Sequence, residues 1–137
     1  MINGKLLPLL LAVSLCSCAT VAAPSSEDLA TADYGGAISQ TDAENLAKDL
    51  MSALLKDPYS AVYTCSTPEK GWRNDDIFAK YKKHYGYVMH CMINAKNSFG
   101  AYGGAKPYDF VINSGQIVAA YGQQEAGKGV TYMGKIK

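Results

Sequence analysis

Residues 108–121, Tyr-Asp-Phe-Val-Ile-Asn-Ser-Gly-Gln-Ile-Val-Ala-Ala-Tyr, decide how the chain folds. Two short runs rich in β-branched and aromatic side chains, 108–112 and 116–121, flank Asn113-Ser114-Gly115. Read as a three-residue hairpin loop, Gly115 takes the position that wants positive φ, and the two runs pair antiparallel. Toward the N-terminus, residues 85–95 alternate Tyr87, Met89, Cys91 and Ile93 against Val88, His90, Met92 and Asn94, the two-residue period of a long strand. Farther back, residues 59–66 set Tyr59, Ala61, Tyr63 and Cys65 on one strand face. Pro68, Gly71 and Trp72 mark a loop, residues 74–84 suit a short helix with Ile77, Phe78 and Tyr81 inward, and residues 130–136 add an edge strand.

A helix precedes these strands. Thr41-Asp42-Ala43-Glu44 reads as a capping box, and behind it Ala43, Leu46, Ala47, Leu50, Met51, Leu54 and Leu55 recur at three- and four-residue spacing. Pro58 stops the helix because it disfavours helical geometry at Asp57. One helix followed by strands, without βαβ alternation, implies an α+β fold: an N-terminal amphipathic helix packed on a small antiparallel sheet of about four strands, spanning residues 41–137 as a single domain.

The whole chain is 137 residues, 48% hydrophobic, which suits one domain. Thirteen Lys and Arg against twelve Asp and Glu argue against binding bulk nucleic acid, which calls for a strongly basic face. Lys5 followed by the apolar run 6–15 is a secretory h-region, too short to span a bilayer. Leu15-Cys16-Ser17-Cys18-Ala19 then has the form of a bacterial lipobox. Cys18 has an aliphatic residue three positions before it and a small residue just before it, whereas Cys16 would place bulky Leu15 at the cleavage position. Residues 1–17 are thus expected to be a lipoprotein signal peptide and Cys18 the lipidated first residue of the mature chain. The alternative is a soluble exported protein cut after a stretch such as Thr20-Val21-Ala22-Ala23. Residues 18–40, rich in Ala, Ser, Thr and Gly, fit a lipidated flexible tether. Ala19, rather than Asp, after the cysteine implies transport to the outer membrane, with the domain facing the periplasm.

Two cysteines remain in the domain. Export permits a disulfide, and Cys65 and Cys91 both lie on the apolar faces of their strands, so a bridge is expected, with two free buried thiols as the alternative. Closing that loop stabilises by about 3 kcal/mol in the chain-entropy model. A metal or nucleophile site built from Cys65, His84, His90 and Cys91 is disfavoured, because His90 and Cys91 point to opposite strand faces; His84 with either cysteine stays open, against the reading of a satisfied surface histidine. No metal or cofactor is expected. Gly100-Ala-Tyr-Gly-Gly-Ala-Lys106 superficially looks like a phosphate loop, but Pro107 follows the lysine where a helix should open. The ten tyrosines, against three phenylalanines, suit either an aromatic contact surface or the completion of a small core.

Residues 91–108, Cys-Met-Ile-Asn-Ala-Lys-Asn-Ser-Phe-Gly-Ala-Tyr-Gly-Gly-Ala-Lys-Pro-Tyr, resemble a motif of small, uncharacterised bacterial lipoproteins and exported proteins, in which a strand ending in cysteine leads into Asn-Ala-Lys-Asn-Ser-Phe/Tyr-Gly-Gly-Tyr. Asp57-Pro58-Tyr59-Ser60-Ala61 is similar to the turn that follows the first helix in that family. The resemblance spans about residues 44–121, with Ala101 in place of the second glycine, and implies no particular reaction. On the residues themselves, Asn94, Lys96, Asn97 and Tyr102 are candidates to bind a ligand or partner. The competing reading is that the asparagines only satisfy turn backbone. With no convincing acid–base or nucleophile constellation, the expected function is non-catalytic: a lipid-anchored envelope protein that binds another envelope protein or peptidoglycan, with no nucleic acid partner. The alternative is a periplasmic small-ligand binder or enzyme centred on the glycine-rich loop.

Overall fold

A computed structural model describes residues 21–76 and 79–137. The elements run α1 (Ser26–Thr31), α2 (Gln40–Ser52), β1 (Asp57–Cys65), β2 (Glu69–Asn74), β3 (Lys83–Lys96), β4 (Lys106–Asn113), β5 (Gln116–Gly127) and β6 (Val130–Lys135). The architecture is α+β, with two corrections to the expectation: the amphipathic helix follows a shorter one, and the sheet has six strands rather than about four.

Every ladder is antiparallel. β3 to β6 form a meander, and β1 and β2 lie end to end along the free side of β3. β1 pairs with residues 91–96, and β2 pairs with residues 83–88. Ser66, Thr67 and buried Pro68 interrupt what is otherwise one long edge. Proline cannot donate to a ladder, so the break falls there. Ser66 keeps the junction attached, its N–H donating to the His90 carbonyl (2.8 Å) and its Oγ accepting from the His90 N–H (3.1 Å).

The stretch expected to be loop and then helix is strand, turn and strand. Residues 69–74 find all their partners on β3, and the Asp75 N–H donates to the Lys82 carbonyl. Lys80 and Tyr81 both have φ of 53°, a left-handed conformation that a right-handed helix cannot contain. Ile77 and Phe78, expected to face inward, lie outside the described residues.

The β4–β5 hairpin is tighter than expected. Asn113 pairs with Gln116, leaving a two-residue loop in which Ser114 (φ 51°) and Gly115 (φ 73°) are both left-handed, as a type I′ turn requires. Lys128 (φ 50°) and Gly129 (φ 77°) repeat the device between β5 and β6.

α2 starts two residues earlier than the capping-box reading. The Ser39 hydroxyl accepts the Asp42 N–H, and Glu44 accepts from the Gln40 side chain (2.7 Å) instead of reaching back to Thr41. Ala43, Ala47 and Met51 are buried against Met89, Cys91, Ile93, Phe110, Ile112 and Ala120. The alanines let the helix axis approach the sheet closely, while Leu54, past the helix end, is exposed. The opposite face of the sheet carries a smaller cluster of Val88, Val111, Ala119 and Tyr121. β3 feeds both faces, with odd-numbered residues toward α2 and even-numbered ones away, as its alternation implied.

Residues read as tether include α1 and a segment fastened to the sheet. Pro24 is buried, and Ser25 and Asp28 form a capping box for α1. Beyond it the Asp33 carbonyl accepts from Asn113 Nδ2 (2.8 Å), the Tyr34 ring packs edge-on against Tyr85, and Gly35 lies so close to the Ser114 backbone that a Cβ there would sit 2.4 Å from its nitrogen.

Candidate functional site

β3 runs out at Lys96 into a turn organised by Asn97. Its Oδ1 accepts from the N–H groups of Phe99 (2.9 Å) and Ala101 (3.2 Å), while its own N–H donates to the Ala101 carbonyl. Asn97 therefore does what the competing sequence reading anticipated: it satisfies turn backbone. Gly100 (φ 77°) permits the reversal. The returning chain brings Tyr102 opposite Lys96, with the ammonium 5.6 Å from the ring centroid, a cation–π distance. The Tyr102 hydroxyl donates to the Ser60 carbonyl (3.0 Å), and Ser60 Oγ accepts the Lys96 N–H (2.9 Å). The start of β1 and the end of β3 are thus knotted together through one serine.

All four candidate residues, Asn94, Lys96, Asn97 and Tyr102, gather at this end of the sheet, Asn97 being taken up by the turn backbone. Asn94 and Tyr102 line an open cleft of about 400 Å³ with Val62, Thr64, Met92 and Ala105. Among the described residues no donor reaches the buried Asn94 Oδ1. A shielded amide oxygen without a partner is costly, and this one lies beneath the cleft floor rather than open to it. The rim is apolar and exposed: Val62 and Met92 stand half in solvent, and Phe99 at the turn tip is 94% exposed.

Cys65 and Cys91, directly opposite each other across β1 and β3, are joined by a disulfide with a Cα–Cα distance of 4.1 Å. It lies on the α2 side and staples the edge strand where β1 ends.

On the sheet face away from α2, the structure assembles two polar groupings that the sequence reading did not anticipate. Asp109 Oδ2 accepts from Arg73 Nε (2.6 Å), Asp109 Oδ1 meets His90 Nδ1 (2.5 Å), and Arg73 Nη2 lies 3.1 Å from His90 Nε2. The neutral tautomer with hydrogen on Nδ1 satisfies both contacts, donating to Asp109 and accepting from Arg73. Asp75, 2% exposed, accepts from Tyr121 Oη (2.8 Å) and Lys135 Nζ (2.8 Å) and contacts His84 Nε2 at 3.1 Å. Burial raises its pKa, but the hydrogen bonds from Lys135, His84 and Tyr121 outweigh that and leave it lowered to about 2. Burial, and then the Asp75 contact, raise the Tyr121 phenol. Asp75 so ties the β2–β3 turn to β5 and β6.

The two histidines therefore turn to carboxylates and not to cysteines. Among the described residues no three His, Cys, Asp or Glu side chains converge as metal ligands. One signal in the sequence pointed to this face: Asp109 is a lone acid in the apolar run Tyr-Asp-Phe-Val-Ile, and such a residue needs a partner. Register supplies it, because His90 lies directly opposite Asp109. Comparison with protein-family models, with curated proteins and with solved structures yields no match for this chain. Cys18, the expected lipidation site, lies outside the described residues, and among those that are described no helix is long and apolar enough to cross a membrane.

Proposed function

We propose that the chain is a lipid-anchored lipoprotein of the bacterial cell envelope, carried to the outer membrane, whose non-catalytic domain binds another envelope protein or the cell wall through the surface formed by Asn94, Lys96, Tyr102 and the turn beside them. The exposed apolar and aromatic side chains Val62, Met92, Phe99 and Tyr102 gathered at and beside this cleft carry the reading. Aromatic and apolar side chains crowd the rim of a cleft beside the Lys96 ammonium, and interfaces favour exposed aromatic contact area of that kind. The Cys65–Cys91 disulfide supports an oxidising compartment, and the lipobox at Cys18 supports the anchor.

Binding is tested by crosslinking pull-down from intact cells and by co-sedimentation with peptidoglycan, using Lys96→Ala, Phe99→Ala and Asn94→Leu variants. Loss of recovery with unchanged melting supports the reading, whereas wild-type recovery for all three refutes it. Anchoring is tested by fractionating Cys18→Ala, which should leave the membrane fraction.

A further inference from the structure

The place where the chain leaves the domain, set against the length available to reach the lipid, fixes which end of the domain faces the bilayer. The inference rests on the lipid anchor proposed above. Pro24 is buried, Ser25 caps α1, and the Tyr34 hydroxyl donates to the Leu29 carbonyl (2.8 Å), folding α1 back on the segment held by Asn113. Asn113 Nδ2 also donates to the Tyr85 carbonyl (3.1 Å), and Lys83 lowers the Asp28 pKa after that carboxyl's own Ser25 hydrogen bonds. The exit point therefore belongs to the end of the sheet formed by the β4–β5 turn and the start of β3.

From Cys18 to Pro24 there are six Cα-to-Cα steps, which span at most about 20–22 Å in any conformation. The turn at residues 97–101 belongs to the other end. β4 alone places Lys106 about 23 Å from Asn113, and the β3 segment from Ile93 to Lys96 carries the chain about 10 Å beyond that level. Standing the domain on its 97–101 turn would lift Asn113, which holds the Asp33 carbonyl, about 30 Å from the lipid surface, a height that the six-step connection does not span by itself.

We infer that the lipidated domain is held with α1 and the β4–β5 turn against the headgroups of its own bilayer, and with the Asn94–Tyr102 surface directed away from it. The short connection thereby selects partners: the surface meets components standing off the membrane, such as the cell wall or the outward part of another envelope protein, and not its own lipid.

The test uses full-length lipidated protein in vesicles carrying nitroxide-headgroup lipid. With Cys18 acylated and Cys65 bridged to Cys91, an introduced cysteine is the free thiol available for a fluorophore. Glu27→Cys, in α1, should be quenched several-fold more strongly than Phe99→Cys. An insert of about 20 Gly and Ser residues between Ala22 and Ala23, with an r.m.s. span of about 25 Å, should erase that difference. Equal quenching at the two positions without the insert, or a difference that survives it, overturns the orientation. Failure of the protein to float with the vesicles is a separate result that overturns the lipid anchor, and the orientation with it.

Discussion

Replacing Asp75 by Asn removes the charge from a carboxylate that is 2% exposed and holds Tyr121, Lys135 and His84. Its pKa in the folded chain is lowered to about 2 from a reference of 3.8. A lowered carboxylate pKa means the ionised form binds better in the native state than in the unfolded one. The contribution is fully present above the unfolded value and is lost as pH falls through the folded value. At 1.36 kcal/mol per unit, it amounts to about 2 kcal/mol at neutral pH. The asparagine also turns an N–H₂ toward donors that need an acceptor. Lys135 is one-third exposed and can rehydrate, so the total cost stays near 2–4 kcal/mol rather than that of a fully buried pair. Urea unfolding of both proteins should show that difference at pH 7 and a gap narrower by about 2 kcal/mol at pH 2, with most of the change between pH 4 and 2. Other carboxylates titrate in both proteins and cancel. A gap constant across that window, or below about 0.5 kcal/mol at pH 7, would refute the assignment of Asp75 as the clasp between the β2–β3 turn and β6.

Further outcomes follow from single contacts. Intact-mass analysis of exported protein alkylated without reduction should find Cys65 and Cys91 unmodified, and Cys65→Ala/Cys91→Ala should lose about 2–5 kcal/mol in denaturant titration. Gly86→Ala places a Cβ 2.4 Å from the Ile112 carbonyl oxygen, so a loss of about 1–3 kcal/mol is expected; unchanged melting would mean that β3 and β4 are not so closely apposed. Asn97→Ala strips acceptors from the Phe99 and Ala101 N–H groups and should cost about 1 kcal/mol, whereas Phe99→Ala, at the exposed tip, should stay within about 0.5 kcal/mol by the same thermal melt.

Periodicity determined much of this fold on its own. The alternation of residues 85–95 settled which side chains of β3 enter the core, and the three- and four-residue spacing behind Thr41 identified the helix that covers Met89, Cys91 and Ile93. Both are local properties, set by where consecutive Cβ atoms point. The same alternation, applied to Cys65 and Cys91, put both thiols on one side and so made their disulfide legible. At Tyr59 it gave the side but not the burial: the ring borders an open cleft with Ala61, Tyr63 and Lys48 of α2, yet stands fully exposed beyond the core. It failed over 69–84 because that segment takes its structure from β3, which lies later in the chain, and carries glycine and charge where a strand would ordinarily show apolar side chains. The candidate surface divided the same way. Asn97, Gly100 and Tyr102 could be read as a turn from residue type, but the pairing of Lys96 with Tyr102 through Ser60, 36 and 42 residues away, depends on β1 returning along β3. The polar face was the least legible. Asp75, His84, Tyr121 and Lys135 are scattered over 60 residues, and a buried charge becomes affordable only where several strands bring its partners together, which no local pattern encodes.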